Sequence, residues 1–165
     1  MTKTALISVY DKTKLDKLIL HLYKYNYVII STGGTHKYIL KVLNDMNLDI
    51  NKLHKVEDLT KFPEMLNGRV KTLHPTIFGS ILADRNDASH KDDIVKHNLH
   101  NIDLVICNLY PFKNVIDNEN SSTEDIIENI DIGGHSLIRA SAKNYKNDTI
   151  LTNPEQYDNY MDEHI

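Results

Sequence analysis

Residues 4–46 alternate two short apolar segments with two amphipathic ones, and this alternation limits the possible folds more than any other feature of the chain. Residues 4–9 (TALISV) and 27–31 (YVIIS) are rich in β-branched side chains, as buried strands are. Apolar residues recur at helical spacing after each strand, first from a cap at Asp11 to Tyr25 and then from about Thr35 to Met46. Strand, helix, strand, glycine turn and helix in this order predict βαβ units and a parallel sheet.

The rest of the chain continues the α/β pattern. A strand at residues 50–56 is predicted to lie at a sheet edge, and one at residues 104–109 in the sheet centre. A last strand is predicted at residues 149–151. Helices are predicted at residues 87–97 and 123–130, from the turn 131–134 to about Lys143, and after Pro154. Residues 62–75 follow no regular period, and a loop of this length is usually functional or mobile. Because no repeat or linker divides the 165 residues, we expect one domain spanning residues 1–165.

Composition excludes several classes of function. The formal net charge is -4, whereas proteins that bind nucleic-acid backbones normally carry a basic face. No segment approaches the roughly 20 apolar residues of a membrane-spanning helix. Cys107 is the single cysteine, so no intramolecular disulfide can form and a cytoplasmic location is expected. The sequence therefore predicts a soluble protein without nucleic-acid or membrane partners.

Unusual polar residues cluster where the predicted strands end. They occupy residues 11–13, 32–35, 108–110 and 131–134. In open parallel sheets, ligands bind beyond the carboxyl ends of the strands. We therefore expect these four clusters to surround one binding site.

The turn Thr32-Gly33-Gly34-Thr35 joins a predicted strand to a predicted helix. Glycines let the backbone approach a ligand closely. The free N–H groups of the helix start, together with the two hydroxyls, would form a phosphate cradle. The alternative is an ordinary strand-to-helix turn, which also uses glycine.

Three potential cations, Arg69, Lys71 and His74, lie within six positions of the long loop. They suit a phosphate or a developing negative charge, although a solvent-facing basic loop has the same composition. Asp131 precedes another glycine turn and is either a ligand-binding carboxylate or a helix N-cap. Lys12 and Lys143 are equally consistent with solvated cations near helix ends.

Other catalytic patterns are absent from the sequence. The GxxxxGK[ST] spacing of a Walker A loop and the G-x-S-x-G elbow do not occur. His90 and His97 can share a helix face, but no recognised metal-binding spacing accompanies them, so no metal site is expected. Cys107 lies in an apolar strand and is interpreted as a small buried side chain rather than a nucleophile.

Taken together, the motifs resemble the inosine monophosphate (IMP) cyclohydrolase domain found at the N-terminus of the bifunctional purine biosynthesis protein. The matching segments follow the family's order and spacing over nearly the whole chain, and residues 62–75 are the most distinctive. The STGGT element alone recurs across the wider methylglyoxal-synthase-like superfamily. The matching segments are residues 6–13 (LISVYDKT), 31–35 (STGGT), 62–75 (FPEMLNGRVKTLHP), 107–112 (CNLYPF) and 131–144 (DIGGHSLIRASAKN).

The resemblance implies an α/β fold of three layers, with a doubly wound, five-stranded parallel sheet of the methylglyoxal-synthase-like type. It also implies a homodimer that converts formamido-imidazole-carboxamide ribotide, a purine ribonucleotide precursor, to IMP with loss of water and without a cofactor or metal. The residues that it implies as catalytic are Lys71, Tyr110, Asp131 and Lys143. Those that it implies as substrate-binding are Lys12, Thr32, Gly33, Gly34, Thr35, Arg69, Thr72, Cys107, Asn108, Ile132 and Gly133.

These roles are chemically reasonable for ring closure, in which a carboxamide nitrogen attacks a neighbouring formyl carbon. Holding the reactive rotamer can supply roughly 7–11 kcal/mol. The ammonium of Lys71 would stabilise charge on the formyl oxygen. Tyr110, beside a cation from Lys143, would transfer protons, and Asp131 would orient the amide or accept its proton.

Some features depart from the family pattern. Its bifunctional members continue into a transformylase domain, and a helical tail usually completes the cyclohydrolase domain. Neither has a counterpart here, so we expect either a stand-alone minimal enzyme or a piece of a longer chain. His135 stands where small or apolar residues are usual, and Tyr145 where histidine is common, which affects the expected fit of the substrate.

Two other functions remain open from the sequence. A methylglyoxal synthase would share the sheet and the phosphate site, but residues 108–112 (NLYPF) replace that family's glycine- and glutamine-rich signature. A non-catalytic regulatory domain would bind a nucleotide but would not need the four residues implied as catalytic.

Overall fold

A five-stranded, all-parallel sheet lies at the centre of the computed structural model, which describes residues 2–163. The spatial order of the strands is β3-β2-β1-β4-β5. In register, Leu6 of the central strand pairs with Ile30 on one side and with Val105 on the other. The strand bounds are β1 Thr4–Val9, β2 Val28–Ser31, β3 Leu53–Lys55, β4 Leu104–Asn108 and β5 Thr149–Leu151.

Helices cover both faces of this sheet and complete three layers. Their bounds are α1 Leu15–Lys24, α2 Gly33–Asp45, α3 Val56–Thr60, α4 Pro75–Leu82, α5 Ala88–Lys96, α6 Phe112–Ile116, α7 Thr123–Glu128, α8 Gly133–Lys143 and α9 Gln156–Glu163. Buried residues of α1, α2 and α9 form one core cluster with the sheet. Buried residues of α3, α4 and α8 form a second cluster with the other face. The predicted doubly wound architecture is therefore confirmed.

The amphipathic pattern of α1 shows how the layers are held together. Leu15, Leu18, Ile19 and Leu22 are fully buried against the sheet. Burial of each such side chain contributes about 1.5–3 kcal/mol. On the opposite face, Ile77, on α4, and other apolar side chains provide the second core. Both faces of the central strands are thus covered, which explains why residues 4–9 and 104–108 are almost continuously apolar.

Asp11 is not the cap of α1, contrary to the sequence prediction. The helix begins at Leu15 with Lys14 as its N-cap, in the left-handed conformation. The carboxylate of Asp11 instead accepts hydrogen bonds from the backbone N–H and the hydroxyl of Thr13, at 2.9 and 2.7 Å. Asp11 therefore stabilises a local turn before the helix starts.

Three helices were not predicted, and each lacks a helical signal in the sequence. The segments α3 and α6 have only five residues each, too short to establish a period of 3.6 residues. The sequence of α4, PTIFGSIL, is almost entirely apolar and contains Gly79. The predicted loop at residues 62–75 contains a 3₁₀ turn, Leu66–Gly68, and ends where Pro75 opens α4.

The helix α5 projects into solvent, as predicted. It contains no buried residue, and Asp87 caps it by accepting hydrogen bonds from the backbone N–H groups of Ser89 and His90. Across residues 2–163, no helix is both long enough and apolar enough to cross a membrane.

The order of the strands determines where a ligand can bind. The chain runs outward from β1 to β2 and β3, then returns to the other side of β1 for β4 and β5. The connections diverge between β1 and β4, and this divergence opens a crevice at the carboxyl ends of these strands.

Candidate active site

A cavity of about 520 Å³ lies in this crevice, within the usual size range of small-molecule sites. Its walls come from the ends of β1 and β4, the start of α2, the loop before α4 and the turn before α8. The structure brings twelve of the residues implied by the resemblance to this cavity. They are Lys12, Thr32, Gly34, Thr35, Arg69, Lys71, Thr72, Asn108, Tyr110, Asp131, Ile132 and Gly133.

The start of α2 forms one end of the cavity. Thr32 is the N-cap, but its side chain makes no capping hydrogen bond, and the first turn contains no acidic residue. The first N–H groups of a helix have no partner within the helix. This end of α2 therefore offers backbone donors and the positive end of the helix dipole to an anion.

The two threonine hydroxyls of this turn are already engaged by the protein. The Thr32 hydroxyl lies 3.1 Å from the hydroxyl of Ser8. The Thr35 hydroxyl accepts from the N–H of Val9 and donates to its carbonyl, both at 3.1 Å. These bonds fix α2 to the end of β1, so the backbone rather than the hydroxyls is presented to a ligand.

Asn108 fixes the loop that follows β1. Its amide oxygen accepts hydrogen bonds from the backbone N–H groups of Tyr10 and Asp11, at 2.7 and 2.9 Å. Its amide nitrogen donates to the carbonyl of Asp11 at 2.8 Å. Asn108 thus lines the cavity while its side chain binds the neighbouring loop. The ammonium of Lys12, in the same loop, donates to the carbonyl of Tyr10 at 3.1 Å.

Two charged pairs lie along the loop before α4. Arg69 forms an ion pair with Glu128, the last residue of α7, and both side chains are largely exposed. The ammonium of Lys71 lies 3.3 Å from a carboxylate oxygen of Glu64. Both basic residues line the cavity, so the loop supplies it with two cations.

Asp131 and the start of α8 form the opposite wall. A carboxylate oxygen of Asp131 accepts a hydrogen bond from the N–H of Gly134 at 2.6 Å. A Cβ at Gly134 would lie 2.8 Å from the other carboxylate oxygen and 3.0 Å from Leu109. Glycine at this position therefore allows the carboxylate to approach the helix closely. Asp131 precedes the N-cap residue Ile132, binds the first turn of α8 through Gly134 and faces the cavity.

Three residues implied by the resemblance lie outside this cavity. Gly33 lines a small adjoining pocket instead. Cys107 is buried beneath α8, where its thiol lies 3.6 Å from the carbonyl of Gly134. Burial, with a smaller effect of the Asp131 charge, raises the pKa of Cys107 to about 12. The interpretation of Cys107 as a buried side chain is confirmed, and its side chain does not reach a substrate in the cavity.

Lys143 is the third of these residues. It is exposed and ends α8, ten residues after Gly133, which corresponds to roughly 15 Å along the helix axis. Lys143 does not line the cavity that contains Tyr110, and its expected place beside Tyr110 stays a prediction. The residues that depart from the family pattern also lie at the surface, since His135 and Tyr145 are both exposed.

His74, considered as a cation of the loop, has a structural role. Its ring nitrogen Nδ1 accepts a hydrogen bond from the backbone N–H of Thr76 and caps α4. Within residues 2–163, no three histidine, cysteine or acidic side chains approach closely enough to hold a metal ion.

Several residues of the site were missed by sequence reasoning. Ser8 lies near the end of the predicted strand 4–9 and Tyr10 follows it, and their position close to Lys12 was an available signal. Glu64 and Asn67 lie in the irregular loop, and no local pattern distinguishes them from other polar loop residues. Glu128, with Ile127 and Ile130, reaches the cavity only because α7 folds back over it.

The fold and the cavity define an α/β domain in which a helix start without a side-chain cap faces a cavity at the switch point of a parallel sheet. A family model described as the MGS-like domain matches residues 14–136, and the chain belongs to this family.

Curated relatives and a solved structure were also found. The chain is 48% identical over 164 residues to the bifunctional purine biosynthesis protein PurH of Prochlorococcus marinus (strain MIT 9301), covering 99% of this chain and 30% of that protein. It is 48% identical over 163 residues to the PurH protein of Thermoanaerobacter sp. (strain X514), covering 99% of this chain and 31% of that protein. The chain thus spans less than a third of the length of these relatives. The crystal structure of ForH matches with a TM-score of 0.80 and 28% identity, covering 97% of this chain and 76% of that one.

Proposed function

We propose that this domain is an IMP cyclohydrolase of purine biosynthesis, which closes the second ring of 5-formamidoimidazole-4-carboxamide ribotide and releases water. One observation carries the proposal: a single cavity joins an uncapped helix start to the side chains of Lys71, Tyr110 and Asp131. The similarity to PurH supports it, because those relatives are bifunctional purine biosynthesis proteins. A purine ribonucleotide has a phosphate at one end and a base at the other. In this proposal the start of α2 binds the phosphate, and Lys71, Tyr110 and Asp131 surround the base.

The phosphate binds at the start of α2 in this proposal. Gly34 and Thr35 line the cavity at this helix start, and their backbone N–H groups, with the helix dipole, favour an anion there. Arg69 adds a cation at the same cavity. Binding the phosphate at one end fixes the position of the base, so the formyl and carboxamide groups are held at the other end.

Ring closure then depends on orientation. The carboxamide nitrogen forms a bond to the formyl carbon, and the electron pair of the carbonyl bond moves to oxygen. The carboxamide nitrogen loses one proton, and the former carbonyl oxygen is protonated. The formamido nitrogen then loses its own proton, its electron pair forms the C=N bond of the new ring, and the oxygen leaves as water with the two protons. Because both reacting groups belong to one molecule, holding the near-attack rotamer supplies much of the acceleration, on the order of 7–11 kcal/mol in oriented systems.

Three side chains of this cavity assist these steps. Lys71 stabilises the negative charge that develops on the formyl oxygen. Asp131, whose orientation is fixed by Gly134, accepts the amide proton or orients the amide. Tyr110 transfers protons between nitrogen and the departing oxygen. The reaction changes no oxidation state, and the proposal assigns it no cofactor or metal.

We further propose that the active protein is a homodimer. Exposed apolar side chains on and around α6 and α7 support this, since such surfaces are typical of interfaces. They are Leu109, Ile116, Ile127, Ile130 and Ile132. A second copy would also supply Lys143, which lies far from the cavity of its own chain. The buried free thiol Cys107 is consistent with the reducing cytoplasm, where we place the protein.

The proposed reaction is tested by incubating the chain with the formylated ribotide and following absorbance. Ring closure changes the chromophore, whereas binding alone does not. The expected result is conversion to IMP, identified by chromatography. If the ribotide binds but stays unconverted, the domain is a nucleotide-binding module and the proposed activity is wrong.

The shared site is tested by mixing two inactive variants, Lys71→Ala and Lys143→Ala. If each site takes Lys71 and Lys143 from different chains, half of the sites in mixed dimers are intact, and about a quarter of the wild-type activity returns on random exchange. If both lysines came from one chain, mixed dimers would contain no intact site. Unrestored activity after demonstrated exchange of chains would therefore contradict the shared arrangement.

A further inference from the structure

Lys71 lies in the wall between two cavities. It lines the main cavity described above, and it also lines a small adjoining pocket with Thr32, Gly33 and Glu64. Glu64 is found only at the small pocket. Its carboxylate therefore approaches Lys71 from the side away from the main cavity.

The contact between the two side chains is close and partly shielded from water. The ammonium of Lys71 lies 3.3 Å from Oε1 of Glu64, with side-chain exposures of 31% and 35%. The carboxylate also lies near the start of α2, since a Cβ at Gly33 would be 3.5 Å from Oε2 of Glu64. Glu64 thus pairs with the proposed catalytic cation and lies near Gly33, in the first turn of α2.

The backbone at Gly68 makes room for this pair. Gly68 has a φ of +88°, which side chains other than glycine rarely adopt. A Cβ there would lie 2.4 Å from Cε of Lys71 and 2.6 Å from Oε1 of Glu64. The two side chains therefore pass directly over the Gly68 backbone, and the turn at Leu66–Gly68 places them together.

We propose that Glu64 is a positioning residue, which holds the Lys71 ammonium in the wall of the main cavity. This role rests on the proposed cyclohydrolase function, in which Lys71 stabilises charge on the formyl oxygen. A lysine side chain has four rotatable bonds and is costly to immobilise. The ion pair with Glu64 restricts the Lys71 side chain before the substrate binds, so the side chain loses less conformational entropy when the transition state forms.

The first test compares Glu64→Gln, Glu64→Asp and Asp158→Asn. Asp158 pairs with Lys14 in an ion pair outside the main cavity, so its variant is a matched control. Glu64→Gln is expected to lower kcat by about three- to tenfold, the effect of a partly exposed charge pair, with little change in KM. Glu64→Asp keeps the charge and should recover part of the rate, while Asp158→Asn keeps all of it.

A second test shows whether Glu64 acts through Lys71. In a Lys71→Ala background, Glu64→Gln should produce no further loss of kcat, because the group that it positions has been removed. Equal losses in both backgrounds, or a fall in the melting temperature that accounts for the loss of rate, would overturn the positioning role.

A third measurement does not depend on turnover. The rate at which an amine-acylating reagent modifies Lys71 is followed by peptide mass spectrometry. Glu64→Gln should raise this rate at least about threefold, because the freed side chain is more accessible, and Asp158→Asn should leave it unchanged. If the wild type fails to convert the ribotide, the proposed function fails, while faster labelling still supports the restraint of Lys71 by Glu64. An unchanged rate rejects that restraint.

Discussion

The rings of Tyr10 and Tyr110 meet edge to face, with centroids 5.7 Å apart and planes at 89°. Tyr10 follows β1 and Tyr110 follows β4, so the contact spans the crevice between the two strands. Both residues line the cavity, and their side chains are about half exposed. Aromatic pairs of this geometry contribute about 0.5–1.5 kcal/mol, which restricts the orientation of the Tyr110 ring.

Replacing Tyr110 with phenylalanine should remove proton transfer and leave the ring contact with Tyr10. We expect kcat to fall by about 10²-fold, the lower range of general acid–base catalysis, with a much smaller change in KM. Tyr10→Phe keeps the ring and should be nearly neutral, whereas Tyr10→Ala should lower kcat about threefold or more. Steady-state kinetics of the three variants check this, and an active Tyr110→Phe enzyme would exclude the tyrosine hydroxyl from the mechanism.

Replacing Lys71 with alanine should affect turnover far more than binding. The loss of an electrostatic group that acts on the transition state lowers kcat by about 10²–10³-fold, while the phosphate contacts at α2 remain. Turnover of the ribotide and the dissociation constant of IMP, measured by calorimetry, separate the two effects. Lys91→Ala, at an exposed lysine of α5 away from the cavity, is the control. Unchanged turnover would reject the role of Lys71.

Two glycines near helix starts should respond differently to alanine. A Cβ at Gly134 would clash with Asp131 and Leu109, whereas a Cβ at Gly34 would meet no atom within 4 Å. Gly134→Ala is therefore expected to lower the free energy of unfolding by about 1–3 kcal/mol. Gly34→Ala should leave it unchanged or raise it by up to about 1 kcal/mol. Denaturant titration of both variants makes the comparison, and equal losses would contradict the close packing of Asp131 on α8.

Asp148 should make stability depend on pH. It is buried just before β5, and neither carboxylate oxygen has a hydrogen-bond partner among the described residues. Burial raises the pKa of Asp148 to about 6, against the lowering effects of Ser141 and Arg85. The folded state therefore holds this proton more tightly than the unfolded chain, so the residue destabilises the fold above about pH 6 and ceases to do so below about pH 4.

Asp148→Asn removes this charge. The variant should be more stable than the wild type by about 1–2 kcal/mol near pH 8 and almost equal to it near pH 4. Chemical denaturation at the two pH values measures the difference, with Asp92→Asn at an exposed position of α5 as the control. A pH-independent difference would show that the carboxyl group does not titrate in the expected range.

The thiol of Cys107 should react very slowly in the folded protein. Its raised pKa, about 12, keeps the group protonated near pH 8, and only the thiolate reacts readily. A colorimetric disulfide reagent should modify Cys107 very slowly in native conditions and rapidly after unfolding in guanidinium. Rapid modification of the native protein would indicate that α8 opens often.

The sequence predicts the sheet well because its signals are local. Residues 4–9 and 149–151 were bounded correctly, since each is an apolar segment that ends at polar or turn residues. The helix α4 was missed because its eight residues include Gly79 and its few polar side chains, Thr76 and Ser80, do not mark a solvent-facing side, since Ser80 is buried. Most of the cavity also follows from the rule that strand ends meet at one edge.

The contacts that organise the site could not be predicted in this way. The ion pair of Glu64 with Lys71 depends on the unusual backbone at Gly68, and no single residue in that loop indicates it. Similarly, the resemblance implies that Asn108 binds substrate, but nothing in the sequence indicates that its amide also binds the loop at Tyr10 and Asp11. Such pairings join segments distant in sequence, and they become visible only when the loops are placed in space.

The exposed helix α5 offers a place for a spectroscopic reporter. Val95, on this helix, is 82% exposed, and α5 contributes no residue to the cavity. Because the native Cys107 is buried, a cysteine introduced by Val95→Cys could be labelled selectively. A fluorophore attached there would record tumbling and association of the domain while the chemistry at the far edge of the sheet stays untouched.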